Sequence, residues 1–157
     1  MFSTSQDVEL SKETPVATSF SIKKPELWSV DTPVLYTAEV SLSSNGKEYD
    51  KISVPFGIRT LSFSAEKGFL LNGKSLKLKG GCVHHDNGLL GAATIDRAEE
   101  RKVELMKANG YNAIRCSHNQ VSEHFLDACD RLGMLVIHET FDQWQKPKRE
   151  QDYHQFF

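Results

Sequence analysis

The second half of the chain alternates short apolar segments with segments of helical periodicity, and this order limits the fold more than any other feature. Three segments are strand-like: residues 76–83, 111–116 and 134–137. The last of them, Met-Leu-Val-Ile, is continuously apolar, which is typical of a strand buried on both faces of a parallel sheet. Two helical segments lie between these strands, so the order is β-α-β-α-β. Short right-handed crossovers then predict three parallel strands.

The ends of the two helical segments carry start and stop signals. Asp96 is followed three residues later by Glu99, which is the spacing of a capping box, and Asn109 with the glycine after it supplies a left-handed stop. Ser122 is placed to cap the second helix, and Gly133 is placed to end it. These signals predict one helix between each start and its stop.

Three parallel strands begin either a barrel or an open sheet. The glycines after the first strand do not follow the G-x-G-x-x-G pattern, which lowers support for a dinucleotide-binding sheet. A barrel of eight units needs roughly 250 residues, whereas about 80 residues follow Leu78. We therefore expect only the first part of a barrel in this chain.

The first half of the chain has the two-residue alternation of β-strands. Five of its segments are strand-like: residues 20–22, 34–42, 49–56, 68–71 and 75–78. The longest, VLYTAEVSL, alternates apolar and polar residues, so one of its faces is predicted to be buried. Asn45-Gly46 and Asn72-Gly73 each predict a tight hairpin, because both residues of such a turn adopt positive φ. A complete sandwich needs about seven strands, so these segments predict a partial one.

Composition and charge exclude several other classes of protein. The 157 residues are 39% hydrophobic and 25% charged, which is typical of a globular chain rather than a disordered one. Lys and Arg number 19 against 21 Asp and Glu, so the net charge of -2 does not favour nucleic acid or an anionic membrane as a partner. The longest apolar run, residues 134–137, is far too short to cross a membrane. No signal peptide pattern is visible at the start, MFSTSQDVEL.

The cysteines do not form a recognisable framework. Cys82, Cys116 and Cys129 are odd in number, and no two of them have C-x-x-C spacing. All three stand among apolar or small neighbours, so we expect buried free thiols that behave as small hydrophobic side chains.

Polar residues gather just after the three predicted parallel strands, where the active residues of parallel α/β folds lie. These residues are His84, His85 and Asp86; Arg115, Ser117, His118 and Asn119; and His138, Glu139, Asp142 and Trp144. Each alone also suits a structural role, such as a turn residue for Asp86 or a packing residue for Trp144. Trp28, in the loop between Pro25 and Pro33, likewise suits a packing role. Four of the six histidines fall in these windows, so together the residues predict a functional cleft.

Two kinds of chemistry suit such a cleft. One is metal binding by His, Asp and Glu, but neither H-x-H on a strand nor H-E-x-x-H on a helix is present. His84 and His85 are also adjacent, so on an extended chain they point in opposite directions. The other chemistry is recognition of a polyol, for which mixed donors, acceptors and an aromatic face are suitable. The composition of the cleft favours the sugar over the metal.

Several of these segments resemble glycoside hydrolase family 2, the β-galactosidase and β-glucuronidase group. Residues 112–119 (NAIRCSHN), followed by residues 125–137 (FLDACDRLGMLVI), closely resemble a signature of that family, and residues 78–84 resemble its first barrel strand. Three upstream segments resemble the end of its immunoglobulin-like domain: residues 25–29, 35–36 and 56–60. Residues 69–74 resemble the hairpin that joins the two domains. The resemblance extends from about residue 20 to residue 144.

The resemblance implies a mixed fold and a sugar-cleaving parent enzyme. Residues 1–62 would be the C-terminal part of an immunoglobulin-like β-sandwich, and residues 63–157 the start of a (β/α)8 TIM barrel. The family's reaction is retaining hydrolysis of β-glycosides, which needs two carboxyl groups and no cofactor. Its acid/base glutamate belongs to an Asn-Glu pair after the fourth strand, and this sequence has no such pair. The chain is therefore expected to be an inactive fragment without catalytic residues of its own.

The resemblance assigns sugar-contacting roles to five residues: His84, Asp86, Arg115, His118 and Glu139. It implies a carbohydrate as partner, and the unpaired strand edges of a fragment predict self-association. Two positions depart from the family pattern, since Gln120 replaces a proline and His138 replaces an aspartate. A noncatalytic sugar-binding module is the alternative function, and a metal-dependent hydrolase is a further one.

Overall fold

The fold is described by a computed structural model that covers residues 3–8 and 15–140. Its regular elements, in chain order, are β1 (Tyr36–Ser44), β2 (Lys47–Phe56), β3 (Leu61–Ser64), β4 (Gly68–Leu71), β5 (Lys74–Ser75), β6 (Gly80–Val83), α1 (Asp96–Ala108), β7 (Ala113–Cys116), α2 (Glu123–Leu132) and β8 (Leu135–His138). A short 3-10 helix, Gly88–Leu90, lies in the loop after β6. No helix among the described residues is long and apolar enough to cross a membrane.

The first hairpin, β1–β2, confirms the turn predicted at Asn45-Gly46, whose φ angles are 51° and 76°. Its antiparallel register pairs Val40 with Ile52, so both belong to the apolar face. The prediction that this face is buried is wrong for the described residues. Val40 is 57% exposed and Ile52 is 54% exposed. Alternation specifies which side chains share a face, but only a second layer of structure buries that face.

The second antiparallel sheet has the order β3–β4–β5. Its β4–β5 turn at Asn72-Gly73 also has positive φ angles, 54° and 75°, as predicted. Strand β3 was not expected, and the strand predicted at residues 75–78 is wrong except at Ser75, which ends the two-residue strand β5. The strand expected at residues 20–22 does not form, and Phe20 is 54% exposed. A three-residue extended segment needs a neighbouring strand for its backbone hydrogen bonds, and none of the described strands pairs with it.

The parallel sheet β6–β7–β8 confirms the order predicted for the second half of the chain. Ile114 and Cys116 of β7 are buried toward the helices. On the opposite face, Cys82, Arg115 and Ile137 form one row across the three strands. Burial of β8 on both faces is therefore a wrong prediction, because Ile137 is 54% exposed. Among the described residues, Trp28, Val30 and Leu71 cover only the amino end of this face, where Ala113 and Leu135 are buried, and its carboxyl end stays uncovered.

The same uncovered face corrects the prediction for the cysteines. All three are free, as expected, and Cys116 and Cys129 are buried. Cys82 is exposed instead, because its side chain lies on the uncovered face of β6. Burial raises the pKa of Cys116 to about 11 and also raises the pKa of Cys129, so both remain neutral small side chains.

The helix ends agree with the sequence at three of four positions. Ser122 caps α2 by accepting a hydrogen bond from the Phe125 N–H at 3.2 Å, and Gly133 ends it in the left-handed conformation. α1 is followed by Asn109 and a glycine of positive φ. The capping box at Asp96 is wrong. Asp96 is the first residue of α1, and its carboxylate pairs with His124 at 3.1 Å.

Two hydrophobic clusters hold the described residues together. The first lies between the parallel sheet and the helices: Val83, Val103, Ile114, Cys116, Phe125, Ala128, Cys129 and Met134. The second joins the two halves of the chain: Trp28, Val30, Leu71, Ala113 and Leu135. Trp28 is 2% exposed, and its Nε1–H donates to the Asp130 carbonyl at 2.7 Å. Trp28 is therefore a packing residue.

Candidate functional site at the carboxyl ends of the parallel strands

The carboxyl ends of β6, β7 and β8 bring four of the five predicted residues together. His84 directly follows β6, Arg115 lies in β7, and Glu139 directly follows β8. His118 lies in the loop after β7. Because the three strands are parallel and in register, these positions fall at one edge of the sheet. We call this set of four residues the polar cluster.

Glu139 and Arg115 form the central ion pair of the polar cluster. The Arg115 Nε–H donates to Glu139 Oε1 at 2.5 Å. This hydrogen bond, with a second one to His118, holds the pKa of Glu139 below its usual value, and the pKa of Arg115 is raised by the same pairing. The Glu139 side chain is 23% exposed and the Arg115 side chain is 42% exposed. The ion pair therefore fixes the orientation of these two side chains more than it stabilises the fold.

His118 has its Nδ1 close to both partners. This nitrogen is 3.1 Å from Glu139 Oε2 and 3.4 Å from an Arg115 guanidinium nitrogen. A guanidinium only donates, and one ring nitrogen cannot donate to Glu139 and accept from Arg115 at once. We assign the proton to Nδ1 on the shorter distance, so that His118 donates to Glu139. Its Nε2 then remains available to an added ligand.

His84 completes the polar cluster through its ring. The centroids of the His84 and His118 rings are 6.0 Å apart, and the two planes meet edge to face at 68°. The cluster therefore offers imidazole nitrogens and guanidinium N–H groups beside an ionised carboxylate, all held by mutual contacts. Such fixed donors and acceptors suit a ligand with several hydroxyl groups.

The side chain of Asp86 does not join the side chains of the other four residues. Its backbone N–H donates to the His84 carbonyl at 2.9 Å in a turn. Among the described residues, its carboxylate has no ion pair or hydrogen bond with the polar cluster. This position agrees with a turn residue, the alternative that the sequence left open.

Cys82 is a neighbour of the polar cluster that sequence reasoning missed. Its Sγ lies 3.5 Å from a guanidinium nitrogen of Arg115. The nearby Ser117 and Arg115 side chains lower the pKa of the Cys82 thiol, and Arg115 donates to its sulfur. The only available signal was the strand register, which places Cys82 beside Arg115 once parallel pairing is known.

Two further histidines hold the loop after β7. His85 Nε2 is 2.5 Å from the Gln120 carbonyl oxygen, and the Val121 N–H donates to His138 Nε2 at 3.3 Å. The two positions that depart from the family pattern, Gln120 and His138, thus both take part in fixing this loop. His138 accepts a hydrogen bond here, which requires an unprotonated Nε2.

The remaining predicted positions add less to the site. Asp142 and Trp144 lie outside the described residues. Within residues 3–8 and 15–140, no group of three or more His, Cys, Asp or Glu side chains is arranged to hold a metal ion. The imidazoles of His118, His85 and His138 contact a carboxylate, a carbonyl and a backbone N–H, respectively.

Comparisons with known proteins identify the class to which this fold and site belong. Residues 2–59 match the model described as "Glycosyl hydrolases family 2", and residues 64–151 match "Glycosyl hydrolases family 2, TIM barrel domain". The chain therefore belongs to glycosyl hydrolase family 2. The matched descriptions and the mixed sheets agree with the expected combination of immunoglobulin-like and barrel domains at this coarse level.

Individual relatives of this chain are also sugar-cleaving enzymes by their names. A beta-galactosidase of Bacteroides ovatus, BoGH2A, is 45% identical over 153 residues, covering 98% of this chain. A putative beta-glucuronidase of Formosa agariphila is 42% identical over 132 residues, covering 84% of this chain. The chain spans 18% and 13% of the lengths of these two relatives.

Solved structures are similar as well. A family 2 glycosyl hydrolase from Bacteroides cellulosilyticus is 59% identical with a TM-score of 0.79, and the match covers 85% of this chain and 17% of that one. A beta-glycosidase from Bacteroides vulgatus is 46% identical with a TM-score of 0.80, covering 87% and 18%.

Proposed function

We propose that this chain is part of a retaining β-glycosidase and supplies one side of its sugar-binding cleft. Residues 1–62 would contribute the end of an immunoglobulin-like sandwich, and residues 63–157 the first three strands of a (β/α)8 barrel. The exposed apolar face of β1–β2 supports the partial sandwich, because such a face needs a second sheet. The uncovered row Cys82, Arg115 and Ile137 supports the partial barrel, because this side of the strands would face a barrel interior.

The observation that carries the proposal is the contact network among Arg115, His118 and Glu139. Ionised and neutral groups are held there in fixed positions, 2.5 Å and 3.1 Å from the carboxylate that joins them. A sugar presents hydroxyl groups that both donate and accept, so it can pair with the His118 Nε2 and with free guanidinium hydrogens. We assign His84 to the same substrate contact and Asp86 to the rim of the cleft.

Catalysis itself needs groups that the polar cluster does not provide. A retaining glycosidase uses two carboxyl groups about 5–5.5 Å apart, one of which must carry a proton at working pH. The pKa of Glu139 is lowered by Arg115, so this group is unsuited to be the acid. The sequence has no Asn-Glu pair to supply the family's acid/base residue. We therefore propose that the 157 residues bind a sugar weakly and do not cleave glycosides.

Two measurements on the 157-residue chain test this proposal. A steady-state assay with a panel of nitrophenyl β-glycosides is expected to show no turnover above background. An NMR titration with methyl β-galactoside and with glucuronate is expected to show weak binding. Arg115→Gln should lower this affinity by about 10-fold or more, and the exposed substitution Arg97→Gln should leave it unchanged. Turnover that disappears in Glu139→Gln would show that Glu139 is catalytic and that the proposal is wrong.

A noncatalytic sugar-binding module is the second candidate. It is favoured by the polar cluster, which offers fixed donors and acceptors to a sugar around a carboxylate whose pKa is lowered. The reading frame after Phe157 distinguishes the two. A continuation with an Asn-Glu pair and a later glutamate supports the enzyme, and a stop codon supports the module.

We also propose that the isolated chain self-associates. The β1–β2 hairpin is a two-stranded sheet with exposed apolar side chains, and β6 and β8 are the two edges of the parallel sheet. Unpaired edges of this kind pair readily with other chains. Sedimentation at several concentrations is expected to show oligomers, and a monomer at all of them would contradict this.

A further inference from the structure

Glu99 is a buried carboxylate that the polar cluster does not use. It lies in the first turn of α1 and is only 4% exposed. Ser117 is the only other polar residue buried to this degree in the described part of the chain. Because an ionised group is costly to remove from water, a buried carboxylate is retained where its partners hold it firmly.

The partners of Glu99 come from two separate loops. Its Oε1 accepts hydrogen bonds from Asn87 Nδ2 at 2.6 Å and from Lys102 Nζ at 3.3 Å. Its Oε2 accepts from the Ser122 hydroxyl at 3.5 Å. Asn87 belongs to the loop after β6, and Ser122 ends the loop after β7. One carboxylate therefore joins both loops to α1.

Each of the two loops carries a histidine of the polar cluster. Asn87 lies three residues after His84, and it also organises its own loop: its Nδ2 donates to the Ala93 carbonyl at 3.2 Å and its backbone N–H to the Gly91 carbonyl at 2.8 Å. Ser122 lies four residues after His118 and also caps α2. Lys102 supplies the compensating charge, with a side chain that is 15% exposed.

We infer that Glu99 is a positioning residue that sets the spacing of the two loops and thereby the 6.0 Å separation of the His84 and His118 rings. This inference rests on the proposed sugar-binding role of those two histidines. The alternative is that Glu99 only stabilises α1. The two roles predict different effects of substituting Glu99. Loss of positioning should change only the two loops, whereas loss of helix stability should also change α1.

Hydrogen exchange of the 157-residue chain, read by mass spectrometry, separates these alternatives. Glu99→Ala is expected to raise exchange at residues 85–93 and 119–123 by about 10-fold or more, the factor that corresponds to one or two lost hydrogen bonds. The amides of β7 should keep their protection. Glu99→Gln retains an acceptor for Asn87, so the two loops should be much better protected in this variant than in Glu99→Ala. Glu104→Gln is the matched control, because Glu104 lies on the same helix in an ion pair with Arg97 at its surface.

Ring resonances of isotopically labelled histidine give a second readout that helix stability alone does not move. Those of His84 and His118 should shift in Glu99→Ala and in Asn87→Ala, while that of His124 on α2 should not. If Glu99→Ala does not fold, Asn87→Ala and Glu99→Gln decide the question. A uniform rise in exchange, or unchanged loops in all variants, would overturn the inference. If no variant, including the unsubstituted chain, binds methyl β-galactoside or glucuronate, the proposed function fails while the exchange pattern still decides the role of Glu99.

Discussion

The two ends of the β6–β7–β8 sheet are made of different residues and are held in different ways. At the amino end, Ala113 and Leu135 begin their strands buried under Trp28 and Val30. At the carboxyl end, Arg115, His118 and Glu139 contact one another while they remain partly exposed. One end is closed by apolar packing, and the other is an open group of charges.

This difference separates the residues that stabilise the fold, at the amino end, from the residues proposed to bind a ligand, at the carboxyl end. Lys107 donates to the carbonyls of Val30 and Gly133, at 2.5 Å and 2.9 Å, and so ties the first half of the chain to the amino end. Buried contacts of this kind contribute to the free energy of unfolding. Exposed ion pairs contribute little, so the carboxyl end can be altered at small cost to the fold. Four predictions test this separation.

The largest effect is expected for Trp28→Ala at the amino end. The substitution empties a site that is 2% exposed and removes the hydrogen bond to the Asp130 carbonyl. The free energy of unfolding should fall by about 3–5 kcal/mol, measured by urea denaturation. Phe63→Ala is the control, because Phe63 is 76% exposed and its loss should have a small effect. Equal effects of the two changes would show that the buried contacts of Trp28 at the amino end stabilise the fold no more than an exposed side chain does.

A smaller effect is expected for Gly133→Ala at the same end. Gly133 has a φ of 76°, and an added Cβ would approach the Val30 carbonyl oxygen. The cost should be about 1–3 kcal/mol in the free energy of unfolding. Gly110→Ala provides the matched comparison, since its φ is 82° and nothing lies within 4 Å of the added atom. The additional loss in free energy of unfolding for Gly133→Ala over Gly110→Ala therefore measures the contact with Val30. Equal losses would show that Val30 moves aside without cost.

Arg115→Gln at the carboxyl end should have little effect on stability and a clear effect on binding. The change removes the charge partner of Glu139 and the fixed hydrogen bond at 2.5 Å. The urea midpoint should stay close to that of the unsubstituted chain, while affinity for methyl β-galactoside falls by about 10-fold or more. A large loss of stability without a change in affinity would place Arg115 among the structural residues instead.

The smallest effect concerns the pH dependence of stability at Glu139. Its pKa is lowered in the folded chain by Arg115 and His118, so the folded state binds fewer protons here than the unfolded state. The stabilising contribution is complete above the ordinary glutamate pKa of about 4.3 and is lost as the pH falls through the lowered value. Glu139→Gln should remove this part of the pH dependence. A folded-state pKa at or above the ordinary value, measured by NMR titration of the carboxyl carbon, would contradict the assignment.

Local features of the fold were predictable because they depend on neighbouring residues. Both Asn-Gly hairpins and the left-handed end of α2 at Gly133 follow from backbone preferences within one turn. The Asp96 capping box failed because Asp96 is the first residue of the helix rather than the residue before it, and Glu99 accepts hydrogen bonds from Asn87 and Lys102 instead. The strand expected at residues 20–22 failed because extended backbone depends on a partner that local pattern does not specify.

The candidate site was predictable in position more than in detail. Strand ends in a β-α-β-α-β order place Arg115, His118 and Glu139 at one edge, and the structure brings them into contact. Asp86 was included because it follows a strand, but its carboxylate is not joined to the polar cluster. Cys82 was missed as a neighbour, since its exposure depends on which face of the sheet is covered.

The sequence by itself determined the order of the elements in the second half of the chain, its parallel sheet and the family of the chain, because periodicity, turn chemistry and motif spacing are all local. Only the tertiary structure decided that Trp28 closes the amino end of the sheet. Trp28 and Asp130 are 102 residues apart, and the burial of Glu99 likewise needs Asn87 and Ser122 from separate loops. No pattern along the chain records which distant residues will meet, because the partners are chosen by packing and by the satisfaction of buried polar groups across the whole fold.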